Sequence, residues 1–251
     1  MPDFSRMNRD SRELFSNLGI IPPIFVRLDG RSFHRLSRSM GFEKPFDASF
    51  HESMTRVSQR LVSESGLNPD FAYTFSDEIS LYFTTLPFSG RVEKIDSVSA
   101  AYAASALTIE FACRAPLSFD ARVIAATPEY AREYLIGRQS EAWRNHINGY
   151  CQQALIEEGM TSRQAAAALR GLQAGEMHEM MHARGLNLAR TPAWQRRGSL
   201  ICKGTVEKEG YNPLTGETVR TNRTAVKVLD DLPLFSAPEG ATLLSSLVAG
   251  L

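Results

Sequence analysis

The sequence predicts an α+β fold: a βαββαβ antiparallel sheet with helices on one face, followed by C-terminal helices and a β-hairpin. Three observations predict it. Four β-rich runs alternate with helical stretches in that order, a short polar tip separates the second run from the third, and the chain turns β-rich again after Gly198.

The elements follow in order. "IFVRLD" (residues 24–29) comes after Pro22 and Pro23 and ends in the turn "DGRS", which makes it the first strand. Phe50, Met54, Val57 and Leu61 recur at helical spacing and predict a helix from about Ala48 to Ser65. In "FAYTFSDEISLYFTT" (71–85) two β-rich runs flank "SDE", the pattern of an antiparallel hairpin in a half-buried sheet. Small residues from Arg91 to Arg114 suit a helix, "FDARVIAA" (119–126) a fourth strand, and Glu129 to Glu158 a long helix. This is the order of a split βαβ, ferredoxin-like sheet. Thr161 supplies an N-cap for a helix through "RQAAAALRGL", and residues 174–184 continue as a helix. Beyond Gly198, "SLICKGTVEKEG", the turn "NPLTGE" and "TAVKVL" read as a hairpin at the sheet edge. The expected organisation is one catalytic unit over residues 1–158, with residues 159–251 packed on it.

Composition narrows the function classes. A chain of 251 residues with 43% hydrophobic content can bury a sizeable core. Lys plus Arg and Asp plus Glu are equal at 28 each, so a polyanion partner must be held by a local basic patch rather than a global field. Cys113, Cys151 and Cys202 are odd in number and widely spaced, which fits reduced thiols rather than a disulfide framework or a metal knuckle. No apolar leader or membrane-length apolar run is present, and the default expectation is a cytoplasmic protein without a membrane partner.

Two constellations compete as the site of chemistry. "HEMMHARGLNL" (178–188) contains H-E-x-x-H, and on a helix His178 and His182 would share a face beside Glu179, the arrangement of a zinc peptidase. The subgroup with the glycine needs a third histidine where this chain has Leu188; only glutamates such as Glu207 or Glu209 remain. The alternative is a helix whose Met177, Met180 and Met181 pack inward while the histidines lie on a polar face.

The second constellation is stronger. Asp29 ends the first strand and precedes Gly30, while Asp77 and Glu78 sit in the hairpin tip that the sheet order brings alongside. Carboxylates at adjacent strand ends bind Mg²⁺ with positions open for phosphate oxygens. Arg27, Arg31, His34, Arg35 and Lys44 lie nearby in the chain, and the turn "GRSFH", with Ser32 and Phe33, offers free backbone N–H groups. D-G and S-D-E are also common turns, so each motif alone reads as structure. Their joint position reads as a nucleotide triphosphate site.

The motifs "VRLDGRSFHRLS", "GFEKPFD", "AYTFSDEISLYF", "FDARV", "YLIGRQSEAWRNHIN" and "RRGSLI" occur in one order from about residue 20 to 202. Through them the chain resembles the tRNA-His guanylyltransferase superfamily, most of all its Thg1-like branch of 3′-to-5′ RNA polymerases. The resemblance implies a polymerase-type palm domain, two Mg²⁺ held by Asp29, the carbonyl of Gly30 and Asp77, and an acidic motif that includes Glu78. It implies triphosphate contacts at Lys44 and His34, a nucleotide contact at Asp47, and Ser76 beside the acidic pair. ATP would activate the tRNA 5′ end, and the 3′-hydroxyl of GTP or another NTP would attack it. Expected contacts to tRNA are Arg138, His146, Asn148, Asn187 and Arg197, with Arg114, Arg132, Arg144 and Arg196 as further arginines. For His146 and Asn148 the alternative is helix packing. The resemblance also implies a homodimer or homotetramer.

One departure bears on specificity. Members that recognise tRNA-His read "HINNLYNT", whereas this chain reads "HINGYCQQ" at 146–153, with Gly149 in place of the second asparagine. That favours template-dependent repair of 5′-truncated tRNA over strict addition of G−1 to tRNA-His. A zinc peptidase and a non-catalytic nucleotide- or RNA-binding protein are the remaining alternatives.

Overall fold

The computed structural model describes residues 15–211, 216 and 218–248. The start of the chain and most of the "NPLTGE" turn lie outside the described residues, as do the side chains of Glu207 and Glu209. The elements are β1 (Ile24–Gly30), α1 (Phe33–Met40), α2 (Ala48–Ser63), β2 (Phe71–Phe75), β3 (Glu78–Phe83), α3 (Val92–Glu110), β4 (Phe119–Ala125), α4 (Pro128–Glu157), α5 (Ser162–Leu169), α6 (Ala174–His182), α7 (Ala193–Arg197), β5 (Ser199–Tyr211), β6 (Thr218–Leu229) and α8 (Pro238–Val248). Local signals place several of them. The Asp47 carboxylate accepts from the Phe50 amide at the start of α2, the Thr127 hydroxyl accepts from Tyr130 at the start of α4, and Thr161 with Gln164 forms a capping box on α5.

The strands form one antiparallel sheet in the order β4-β1-β3-β2-β5-β6. Ile24, Val26 and Leu28 of β1 point to one face, where they pack with Met54, Val57 and Leu61 of α2 and Ile95, Ala103 and Leu107 of α3. Phe25 points to the other, against Leu135 of α4 and Leu244 of α8. The two helices of the βαββαβ unit thus share a face as expected. The opposite face, which such a unit leaves open, is covered by α4 and α8. No helix among the described residues is long and apolar enough to cross a membrane.

That second layer corrects the half-buried reading of the hairpin. Every residue of β2 and β3 is buried. "FAYTF" and "ISLYF" lack polar alternation because both faces of these strands are covered. On the α4 face Phe25, Tyr82 and Tyr134 form an aromatic stack, with centroids 4.9 Å apart for Phe25–Tyr82 and 4.2 Å for Phe25–Tyr134. Burying such a ring contributes roughly 1.5–3 kcal/mol. A third apolar group joins the C-terminal half of α4 (Ile147, Cys151, Leu155) to Leu169 of α5 and to Met177 and Met181 of α6.

The C-terminal hairpin extends the sheet through β5, which pairs with β2 from Thr74↔Ser199 to Phe71↔Cys202. Gly198 makes the junction between α7 and β5. Its backbone (φ 68°, ψ −168°) lies where L side chains are strained, and an added Cβ would sit 2.7 Å from both the Thr74 carbonyl oxygen and the Tyr73 hydroxyl. Gly198→Ala is therefore expected to lower stability by about 2–4 kcal/mol in urea unfolding. Unchanged stability would refute the close approach of this junction to β2.

Candidate active site

The site is built where β1 ends against the β2–β3 turn. Asp29 is directly opposite Glu78 on β3, and one residue later the Gly30 amide donates to the Asp77 carbonyl at 3.2 Å. Gly30 is required by Phe33, since a Cβ there would lie 2.7 Å from the ring. The Phe33 ring in turn packs edge-to-face on Phe50 and Phe119, which pins the start of α1 over the strand end. Ser76 and Ser32 both adopt left-handed backbone (φ 52° and 60°) although neither is glycine. Such conformations persist where surrounding structure enforces them, and here they flank the acidic turn.

Burial pushes the Asp77 carboxyl above its usual range and the neighbouring Asp29 adds to the rise; its own backbone amide and the Ser76 hydroxyl, 3.1 Å away, oppose it. The Asp77 carboxyl therefore resists ionisation, and a cation beside it would relieve that cost. The donor set fits a hard divalent ion, being all oxygen. No group of three or more His, Cys, Asp or Glu side chains suited to a metal occurs among the described residues. Mg²⁺ tolerates this, because it takes one or two carboxylates and completes its shell with water and phosphate oxygens.

Beside the pair opens a cavity of about 330 Å³, lined by Phe33, His34, Lys44, Asp47, Ser76 and Asp77 among others. Residues from distant parts of the chain thus meet around a space of mononucleotide size. The Lys44 ammonium donates to the Ser37 hydroxyl. Asp47 lines the cavity, but its oxygens accept from the amides of Phe50 (2.9 Å) and Glu43 (2.8 Å), so it also fastens the loop to α2. The aromatic wall of Phe42, Phe46, Phe50 and Trp194 was not expected from the sequence. Trp194 comes from α7, and its ring stacks on His51 at 4.1 Å and 10°. No local pattern links it to the motifs before it.

Other expected site residues lie elsewhere. Glu78 is turned under α4, where Arg138 Nη1 donates to it at 2.8 Å, and Arg138 also pairs with Glu141. Burial raises Glu78 to about 7, although Arg138 and Arg27 both pull it down. Arg27 belongs to this group rather than to the cavity, and its buried Nε has no hydrogen-bond partner among the described residues. Arg138 is held in these ion pairs instead of being free for tRNA. Asp120 of β4, unmarked in the sequence reading, lies directly across from Asp29, so Asp120, Asp29 and Glu78 form one row across three strands. The next row on that face holds Arg122 and Arg27, and Arg122 Nε lies 3.6 Å from Asp120. Arg31 is exposed just beyond Gly30.

His146 is a correction. It is 0% exposed, stacked between Trp143 and Phe46, and therefore cannot reach an RNA phosphate. Its Nε2–H donates to the Thr191 hydroxyl at 2.8 Å, because that hydroxyl gives its own proton to the Leu188 carbonyl. Burial, with the charges of Arg196 and His178, lowers its pKa to about 4. Asn148 is exposed, and its side-chain amide donates back to the Arg144 carbonyl at 2.9 Å. Asn187 caps the turn at 188–190 through the Ala189 amide. Arg197 donates to the Leu232 carbonyl at 2.6 Å, away from the first cavity. In α6 the H-E-x-x-H helix buries Met177 and Met181, His178 leans on Trp143 at 5.4 Å, and His182 is exposed. The motif's spacing serves helix packing.

A family model described as tRNAHis guanylyltransferase matches residues 11–127, the span from before β1 through β4. The probable tRNA(His) guanylyltransferase of Dictyostelium discoideum is 31% identical over 221 residues, covering 82% of this chain and 84% of that protein. Two solved structures of a bacterial tRNA(His) guanylyltransferase (Thg1)-like protein share the fold. The complex with GTP has a TM-score of 0.73 at 24% identity, the complex with ATP 0.75 at 23%, and each covers 95% of this chain and 96% of the other.

The state of His146 gives a pH-dependent outcome. Its folded pKa, about 4, lies below the ordinary 6.5, so the folded state binds fewer protons; its contribution is intact above 6.5 and is lost as pH falls toward 4. In thermal melts the stability gap between wild type and His146→Gln is expected to narrow across that window. A gap that widens on acidification would refute the buried neutral imidazole.

Proposed function

The chain belongs to the tRNAHis guanylyltransferase family, and on that premise we propose that it is a Mg²⁺-dependent 3′-to-5′ nucleotidyltransferase acting on the 5′ end of tRNA. The observation that carries this reading is the convergence of His34, Lys44, Ser76 and Asp77 on one cavity beside Asp29. Proteins named tRNA(His) guanylyltransferase among its relatives, and bacterial likenesses bound to GTP and ATP, support it.

In this reading Asp29, Asp77 and the Gly30 carbonyl would hold Mg²⁺, which would supply charge stabilisation to the attacking hydroxyl and to the oxygen that leaves phosphorus. Lys44, His34 and Arg31 bind the triphosphate of the incoming NTP. The aromatic wall orients its base and excludes water. ATP activates the 5′-phosphate as an adenylate with release of pyrophosphate, and attack by the NTP 3′-hydroxyl on that phosphorus forms the phosphodiester and expels AMP; this reverses the usual polymerase roles but places the same demand on these groups, since charge still develops on phosphoryl oxygens. Glu78 and Arg138 support the site from beneath, fixing α4 to the strand that carries the acidic turn.

We assign the substrate range to template-dependent repair of 5′-truncated tRNAs, in the Thg1-like branch. Gly149 supports this assignment. A Cβ there would meet Pro45 at 3.3 Å, so α4 lies close against the loop that carries Lys44, and the asparagine of tRNA-His-specific members would press on that loop.

Asp29→Asn and Asp77→Asn should each lower nucleotide addition to a labelled, 5′-truncated tRNA by at least about 10³-fold while leaving the thermal melt near that of wild type. Near-wild-type turnover in either variant would refute the paired-carboxylate assignment. A panel of truncated tRNAs assayed with each NTP should show template-matched addition across several species. Addition of G to tRNA-His alone would overturn the repair assignment and leave the enzyme class intact.

A further inference from the structure

Helix α7 is five residues long and none of them is buried, with cavities open beside it on two sides. Trp194 lines the one next to the aspartates, and Arg196 and Arg197 line a recess of about 390 Å³ against α4. Burial therefore does not fix the Trp194 indole; its neighbours must. Phe46 meets it edge-on, with centroids 6.1 Å apart at 86°, whereas the His51 ring lies flat on it at 4.1 Å and 10°. The imidazole face thus sets the plane of the indole.

His51 is itself held. It extends the inward stripe that Met54, Ser58 and Leu61 form on α2, where a leucine or phenylalanine would pack as well. Histidine adds a polar tip: its Nε2 lies 3.2 Å from Asp230 Oδ1, and the same oxygen accepts from the hydroxyl of Ser199, which is fully buried. Burial lowers the His51 pKa and the Asp230 charge opposes the fall, so at neutral pH the ring carries one proton. A carboxylate only accepts, which puts that proton on Nε2.

Ser199 opens β5 opposite Thr74 of β2, and β2 runs directly into the turn of Ser76 and Asp77. A circuit of contacts therefore closes around the cavity. Asp77 and Trp194 both line it, and Thr74, Ser199, Asp230 and His51 connect the two from behind. The covalent route from α7 to β5 through Gly198 fixes where the helix sits but not how the indole is turned.

We propose that His51 and Asp230 are positioning residues for the incoming nucleotide: Asp230 holds the His51 ring, and that ring holds the Trp194 indole at the angle at which it receives the base. The proposal rests on the nucleotide-site reading above. Neither residue lines the cavity, so each acts through Trp194. Stacking on the base is present before attack as well as during it, so its loss falls on affinity and not on turnover.

The experiment measures GTP affinity with Mg²⁺ by equilibrium dialysis without tRNA, together with KM and kcat for GTP addition to a 5′-truncated tRNA whose opposing base is C. Thermal melts accompany both, and binding is read below the lowest melting temperature. His51→Phe keeps the stack and loses the bond, Asp230→Ala removes the anchor, and Asp230→Asn keeps an oxygen that accepts from His51 and Ser199. The first two, like Trp194→Ala, should each weaken GTP binding by about tenfold and raise the KM for GTP to match, with kcat within about twofold of wild type. Asp230→Asn should bind GTP within about twofold of wild type, and His51→Phe combined with Asp230→Ala should bind no more weakly than either alone. Wild-type GTP affinity in His51→Phe and Asp230→Ala, with only a lowered melting temperature, would overturn the positioning role and leave the enzymatic reading standing. A fall in kcat at unchanged affinity, or equal losses in Asp230→Asn and Asp230→Ala, would overturn it as well. Absence of GTP binding by the wild type would remove the nucleotide cavity on which the proposal rests.

Discussion

The site depends on the register between β1 and β3. That pairing sets Asp29 opposite Glu78 and brings the Gly30 amide to the Asp77 carbonyl, so two carboxylates from separate segments are forced together at the sheet's end. Their repulsion cannot be relaxed by a shift of one residue. Such a shift would turn Ile24, Val26 and Leu28 out of the α2–α3 core and put Phe25, Arg27 and Asp29 into it. The apolar alternation of β1 thus keeps Asp29 near the acidic turn, where its charge adds to the rise in the Asp77 pKa.

Covering both faces of the sheet is what makes the arrangement rigid. On the α4 face the rows Asp120–Asp29–Glu78 and Arg122–Arg27 alternate in sign, and Arg138 reaches down to Glu78 from the helix. Glu78 is therefore better described as a support than as a third member of the acidic pair. Its raised pKa reflects desolvation that outweighs its ion pair, the usual balance for a buried carboxylate whose partner does not satisfy both oxygens. The same helix carries His146 into a buried aromatic cluster that joins the cavity loop, through Phe46, to α7.

Much of this was legible in the chain. The βαββαβ order, the acidic turn, the basic turn after Gly30 and the cap at Thr161 rest on local spacing or on the steric needs of a few adjacent residues. Less legible were contacts that no period encodes. Trp194 reaches the cavity from α7, far in the chain from the loop of Phe42 and Phe46, and Asp120 joins Asp29 only through strand pairing. The tRNA contacts expected from motif matching were the weakest part, because a motif gives a residue's identity and not its exposure. His146 proved to be packing and Arg138 an ion-pair partner.

By itself the sequence determined the elements and the chemistry available to them: which strands end in carboxylates and which turn carries cations. Only the tertiary structure decided which of those groups face a common space. Burial on both faces of β2 and β3, the turning of Glu78 toward Arg138, and the placing of α7 between two cavities all arise from helices that are distant in the chain yet pack on one sheet. Side-chain exposure is set by what covers a residue, and what covers it here comes from segments that local sequence neither names nor positions.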